Sequence, residues 1–305
     1  MTSLPGELEA RAEQLRAHRE PYVAATVVQA ERPTSAKPGD AALVLADGTV
    51  VGFVGGECAE SSVQAQALAA LAAAEPVLLR ITPSPPSEPD RPGTVTVHNP
   101  CLSGGTLEIF LEPAFPPPLL VVHGDAPIAR ALAAVAASAG YAVEAQTAGA
   151  RPGAPPADAT AVIVAAHGRD EAGVLAAAVR AGVPYVGLVA SPRRGAGVLA
   201  SLDLTDDERA AVHTPAGLDI GARTPGEVAV SILAEIVGLR PRPPSPRPES
   251  PPSGAPVATD PVCGMAVATV ASSLTVEHGG RRWWFCGTGC RDAFVANPHA
   301  FTARS

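Results

Sequence analysis

Arg240–Pro256 reads RPRPPSPRPESPPSGAP, and no other stretch restricts so strongly how this chain can fold. Proline fixes φ and removes a backbone donor, and a segment so rich in Pro and Ser has too little apolar surface to build a core. Residues 241–256 are therefore expected to be an extended, disordered linker that separates a C-terminal piece, 257–305, from everything before it. A piece this small rarely buries enough apolar surface to fold without a metal or disulfide staple. It holds three of the chain's five cysteines, Cys263, Cys286 and Cys290, in the spacing Cys-x22-Cys-x3-Cys. Thiolates grouped this way favour soft or borderline metals, Zn2+ or Cu+ above all. The fourth ligand stays open among His278, His299, Asp260 and a cysteine from elsewhere. An odd, unevenly spread set of cysteines fits reduced thiols better than a disulfide framework.

The long part divides again. YVAATVVQ (from Tyr22) reads as a buried strand, and AALVLADGTVVGFVGG as two strands around Asp47-Gly48, a strong hairpin signal. A helix, ECAESSVQAQALAALAAAE, starts directly after Gly55 and Gly56, and the strands VLLRI and TLEIFLE follow. This predicts an α+β domain over 1–113. Its two cysteines sit in different settings. Cys101 is on the loop NPCLSGG, left accessible by Gly104 and Gly105, which suits a thiol that meets a ligand or carries sulfur. Cys58 is in the first turn of the predicted helix, where the macrodipole favours thiolate. Gly55 and Gly56 leave backbone N–H groups able to approach a phosphate.

From Leu119 the order is βαβ: LLVVHGDAPIARALAAVAASAGYAVEAQ, then TAVIVAAHG, EAGVLAAAVRAG and PYVGLVA. Such alternation predicts a Rossmann-like parallel sheet covered by helices, over 119–240. Its last helix, TPGEVAVSILAEIVGL, has Thr224 to cap it, Pro225 at the first position, Glu227 for a capping box and Gly238 as the stop. Ligands of such sheets sit outside the carboxyl ends of the strands. Those ends carry HGD, HGRD and SPRR, so Gly124, Asp125, His167, Gly168, Arg169, Arg193 and Arg194 are expected to converge on an anion-receptive crevice. A nicotinamide dinucleotide fingerprint is incomplete, because Ala126 and Ala129 stand where G-x-G-x-x-G needs glycine. NAD(P)-dependent oxidoreduction is the alternative this weakens.

The net charge of −8, without a clustered basic stretch, argues against nucleic acid. No apolar run of about 20 residues is present, and the N-terminus lacks a signal-peptide core, so a cytoplasmic chain without membrane insertion is expected. No Ser-His-Asp order, Walker loop or HExxH motif points to turnover on a metabolite.

GDAALVLADGTVVGFVGGECAE, NPCLSGGTLEIFLEP, HGRDEAGVLAAAVRAGVPYVGLVAS and HTPAGLDIGARTPGEVAVSILAEI together resemble the XdhC/CoxI family, from about Ala24 to Leu239. The form NPCLSGG…EIFLEP is closer to its carbon monoxide dehydrogenase-associated branch. DPVCGM, WWFCGTGCRDAF and NPHAF resemble the YHS (TRASH-like) domain, a metal-binding module, over Asp260–Phe301. The resemblance implies an α/β protein: an N-terminal α+β domain, a Rossmann-like domain and a YHS module. It implies a non-catalytic factor that binds molybdenum cofactor, helps it gain its sulfur ligand and passes it to an apo molybdenum hydroxylase of the xanthine or carbon monoxide dehydrogenase type. A cysteine desulfurase and a second copy of the chain are further candidate partners, and zinc or copper is expected in the module. A metal-binding regulator or metallochaperone is the remaining alternative. The cofactor-binding set so formed is Gly55, Gly56, Glu57, Cys101, Gly104, Gly105, Gly124, Asp125, His167, Gly168, Arg169, Arg193, Arg194, Asp219 and Gly221. Of these, Asp219 and Gly221 rest on the family's closing motif, GLDIGAR. Cys101 and a crevice around Gly124 and His167 are expected to share one pocket.

Overall fold

The computed structural model of the chain describes residues 4–85, 90–100, 105–147, 153–166, 168, 170–240 and 256–302. The chain forms two compact units: residues 1–116 together with 243–305, and residues 117–242.

In the first unit the chain runs through α1 (Gly6–Ala17), β1 (Tyr22–Ala30), β2 (Ala41–Leu45), β3 (Val50–Gly52), α2 (Glu57–Ala73), β4 (Val77–Thr82), β5 (Thr94–His98) and β6 (Leu107–Ala114). The strands make one sheet in the order β3-β2-β1-β6-β4-β5, antiparallel except for β4 with β5. Period-2 alternation assigns each face its helix. Ala41 and Leu43 point to α1, where Leu8, Ala12 and Leu15 cover them. Ala42 and Val44 point the other way, to Val63 and Ala67 of α2. Gly48, at φ +83°, turns the predicted hairpin. Strand β5 escapes the sequence reading because its TVTVH pairs in parallel with β4 only after an intervening loop.

The second unit contains β7 (Leu119–His123), α3 (Pro127–Ser138), β8 (Ala142–Gln146), β9 (Ala159–Val164), α4 (Glu171–Arg180), β10 (Tyr185–Leu188), α5 (Pro192–Ser201), α6 (Asp206–Ala210), β11 (Val212–His213) and α7 (Pro225–Leu239). Its sheet is wholly parallel in the order β11-β10-β9-β7-β8. Both faces are buried, which explains the unbroken apolar runs of the strands. Leu120, Val122 and Ile163 pack with Leu132 of α3 and Ile232 and Ile236 of α7. Leu119, Val121 and Val162 pack on the opposite side with Val174 and Leu175 of α4. Thr224 and Glu227 form the expected capping box, but α7 continues through Gly238 and ends at Leu239. Counted within the unit, the strand order is 2-1-3-4-5, which places the topological switch point between the carboxyl ends of β7 and β9.

The C-terminal module consists of β12 (Val257–Thr259), β13 (Ala266–Ala268), β14 (Leu274–His278), β15 (Arg281–Phe285), α8 (Thr288–Ala296) and α9 (His299–Thr302). Two hairpins, β12–β13 and β14–β15, enclose Trp283, Phe285 and Phe294. Its size and the linker before it lead one to expect a module that folds alone, and the structure adds a contact with the N-terminal domain. Ala268 and Val270 pack on Ala65 and Leu68 of α2, so that helix is buried against the sheet on one side and the module on the other.

At the switch point Gly124 has φ +123°, and a Cβ there would lie 2.3 Å from the Ala165 carbonyl oxygen. Gly124→Ala is expected to destabilise the 117–242 unit by about 2 kcal/mol, the scale of backbone strain at such a position. Thermal unfolding should show a midpoint lower by several degrees; an unchanged midpoint would contradict this packing.

Candidate functional site

The module's three thiols meet in space. Cys263 follows β12 on a tight turn through Gly264 (φ +81°), Cys286 directly follows β15, and Cys290 lies in the first turn of α8. Sγ of Cys286 is 3.5 Å from that of Cys263 and 3.6 Å from that of Cys290, too far for a disulfide. Two thiolates on a tetrahedral ion at 2.3 Å each are about 3.8 Å apart, so little movement separates this trio from a coordinating one. Asp260 completes a group whose ligand atoms all lie within 4.8 Å of one another. Of the alternatives for a fourth ligand, His278 makes edge-on ring contacts with both His299 and Phe294.

Asp260 is fully buried, and backbone amides engage both of its oxygens. Oδ1 accepts from the amides of Val262 (2.8 Å) and Cys263 (3.4 Å), and Oδ2 from that of Cys286 (2.9 Å). The carboxylate thus ties together the two segments that carry Cys263 and Cys286. The chemistry of the donor set fits Zn2+ or Cu+.

The thiols differ in acidity. A hydrogen bond from the Cys286 thiol stabilises the Cys263 thiolate and, against burial, lowers Cys263 to about 7. That same bond, with burial, pushes Cys286 up. Burial is the main cause that raises Cys290 to about 12.

A cleft of about 240 Å³ opens beside this cluster in the same unit. Four of the sequence-selected residues, Gly56, Glu57, Cys58 and Gly105, line it, joined by Asn99, Ser35 and others. Gly56 precedes the first turn of α2 without any side-chain cap, so the leading amides of this 17-residue helix are left for another partner. Gly55, the residue before, has φ +141°. Gly105 is demanded by a close approach, since a Cβ there would be 2.3 Å from the Pro33 carbonyl oxygen. Asn99 is buried and donates its side-chain amide to the Cys58 carbonyl (3.1 Å). Glu57 turns to the module: its Oε2 accepts from the backbone N (2.7 Å) and Oγ1 (2.8 Å) of Thr288.

In the second unit, the switch point lies between the uncapped N-terminus of α3 and that of α4. His123, at the end of β7, is 1% exposed, and neither ring nitrogen has a hydrogen-bond partner among the described residues. An orphaned imidazole and two helix N-termini fit an anionic ligand. Asp125 uses its backbone carbonyl to hold Arg130, and Gly168 (φ +93°) shapes the turn after β9. A cleft of about 700 Å³ runs beside the ends of β10 and α7, lined by Ser191, Arg194, Gly217 and Asp219 among others. Arg193 is exposed. Arg194 is committed within the protein: it forks onto Glu171 at 2.7 and 3.0 Å and also donates to the Val189 carbonyl. Asp219 Oδ1 accepts from the Gly221 amide (3.4 Å), and Gly221 has φ +72°. Cys101, Gly104, His167, Arg169 and the linker residues 241–255 lie outside the described residues.

Sequence reasoning passes over Glu235, whose carboxylate accepts from Tyr185 Oη and from the Gly217 amide and pairs with His213 Nδ1 at 3.0 Å. This network holds the loop that walls the larger cleft. Its only local signal is an acid within the apolar run of α7.

In the metal-free chain Cys263 should be the first thiol of the trio to ionise. Its alkylation by iodoacetamide, followed by mass spectrometry, should rise through about pH 7, while Cys286 and Cys290 react only at more alkaline pH. Metal binding displaces these thiol protons, so apparent affinity should increase with pH. Equal reactivity of all three across pH 6–8 would contradict this arrangement.

Family models match three stretches of the chain: the XdhC Rossmann domain over residues 120–236, the XdhC and CoxI family over 15–82, and the YHS domain over 258–304. YqeB of Escherichia coli (strain K12), an uncharacterized protein, is 27% identical over 249 residues, which cover 73% of this chain and 44% of that relative. The chain therefore spans less than half the length of the curated relative it matches. A solved structure from Bacillus halodurans, named a xanthine dehydrogenase, aligns at a TM-score of 0.38 and 18% identity over 78% of this chain and 97% of that one. No helix among the described residues is long and apolar enough to cross a membrane. The first match falls on the parallel-sheet unit, the second on the mixed sheet and the third on the thiol-bearing module, and together they make the chain a member of the XdhC and CoxI family with a C-terminal YHS domain.

Proposed function

We propose that this protein is an accessory factor for a molybdenum hydroxylase of the xanthine or carbon monoxide dehydrogenase type, which binds molybdenum cofactor, assists its sulfuration and hands it to the apo-enzyme. The observation that carries this reading is the family membership across both larger domains, 15–82 and 120–236. The geometry supports it. Molybdenum cofactor brings a phosphate, a dithiolene and the metal that receives the sulfur ligand. In the second unit uncapped helix N-termini and the buried His123 suit the phosphate, and in the first unit the cleft lined by Gly56, Asn99 and Gly105 offers backbone donors at the uncapped start of α2. Cys101 remains a candidate sulfur carrier on the same NPCLSGG segment as Gly105. A cysteine desulfurase would supply the sulfur, and a second copy of the chain is a candidate partner. The module's thiols would hold Zn2+ or Cu+.

The thiol cluster favours a second reading, a metallochaperone or metal-dependent regulator in which the rest of the chain is scaffold. The two separate cleanly. Full chain purified from a host that makes molybdenum cofactor should carry molybdenum and a pterin in equal amounts, read by elemental analysis and by fluorescence after oxidation. Cys286→Ser should keep both and lose zinc or copper. If the purified chain contains only the metal of its thiol site, or binds nicotinamide dinucleotide instead of pterin, the cofactor-carrier reading fails.

A further inference from the structure

The thiol trio needs one more donor for a closed tetrahedral site, and the docking of the module supplies a candidate from outside it. Both Asp260 oxygens already accept backbone amides that hold the turn, which makes this buried carboxylate a brace for the thiols. Across the interface, Cys58 packs together with Cys263 and Cys290 around Met265, Val267 and Cys286. Resting on the reading of the module as a metal site, we propose that Cys58 of helix α2 is the fourth thiolate, so that a Zn2+ ion fastens the C-terminal module to the N-terminal domain at the rim of the smaller cleft.

Three features of the interface converge on that position. Glu57, the residue before Cys58, caps α8 at Thr288, and Gly287 lies so close that a Cβ there would come within 2.9 Å of the Glu57 carboxylate. This aligns the first turn of α2 with the turn of α8 that carries Cys290. One helical stretch further on, Gln64 donates to Ser272 Oγ (3.1 Å) and accepts from Ser273 Oγ (3.2 Å), while Ser272 reaches the Asp47 carbonyl. These bonds set the module's register along α2. Electrostatics also favour the arrangement: four thiolates around Zn2+ leave two negative charges, and the positive ends of both α2 and α8 face them. Cys58 is not within the group whose atoms lie within 4.8 Å of one another, so coordination asks for its side chain to move inward as each thiol gives up its proton to solvent.

The test uses the full, reduced, metal-free chain with Co2+ as a spectroscopic probe and Zn2+ in competition with a chelator. The wild type should show the absorption of a tetrahedral thiolate site. Cys58→Ser should lose roughly a quarter of the thiolate-to-cobalt charge-transfer intensity, one ligand in four, and bind Zn2+ on the order of tenfold more weakly. Wild-type bands and affinity in Cys58→Ser overturn the role of Cys58 while leaving the trio's metal site standing. Absence of Co2+ and Zn2+ binding by the wild type overturns the metal site itself. A measurement on the unmutated chain guards against misfolding of the variant: Zn2+ should protect Cys58 from alkylation along with Cys263, Cys286 and Cys290, and a Cys58 that reacts at the metal-free rate while the trio is protected refutes the assignment.

Discussion

One carboxylate, that of Glu57, stands where two helices begin. It belongs to the first turn of α2 and closes the first turn of α8, accepting two hydrogen bonds from Thr288, a residue 231 positions away. A negative charge at the positive ends of two helices is favoured twice over, and the bonds are charge-assisted. Much of the first unit depends on it. The same contact sets Cys58 against the module's thiols.

Helix α2 is therefore the central element of that unit. Its Val63 and Ala67 close the core of the mixed sheet, and its Ala65 and Leu68 receive the module. Small residues suit a helix that must lie close to neighbours on both sides. The abundance of alanine in α2 thus reflects burial on two faces as much as helix propensity, and composition alone leaves these two causes indistinguishable.

The parallel-sheet unit solves a different problem. Arg194 is less available to a ligand than its position in the sequence indicates, because Glu171, itself buried, takes its fork. An ion pair of this kind costs desolvation and is kept only with good geometry, here completed by the Val189 carbonyl. What the unit offers an anion is backbone: the open N-termini of α3 and α4 at the switch point, beside the orphaned His123. The 2-1-3-4-5 strand order puts this crevice between the carboxyl ends of β7 and β9.

Much was legible beforehand because it is local. The hairpin at Asp47-Gly48, the elements of the βαβ alternation and the capping box of Thr224 and Glu227 each follow from residues near one another in the chain, where chain geometry and hydrogen bonding are nearly predetermined. The grouping of Gly56, Glu57, Cys58 and Gly105 in one cleft was anticipated in membership, though Asn99 and the module beside it were not. Tertiary structure decided the rest. It set Asp260 beside the three thiols and bound it to the segments that carry Cys263 and Cys286, committed Arg194 to Glu171, joined Tyr185 and His213 through Glu235, and brought the C-terminal module onto α2. Those outcomes depend on which surfaces dock, and docking is set by shape and by the pairing of buried polar groups across long stretches of chain, which no periodicity or spacing along the sequence records.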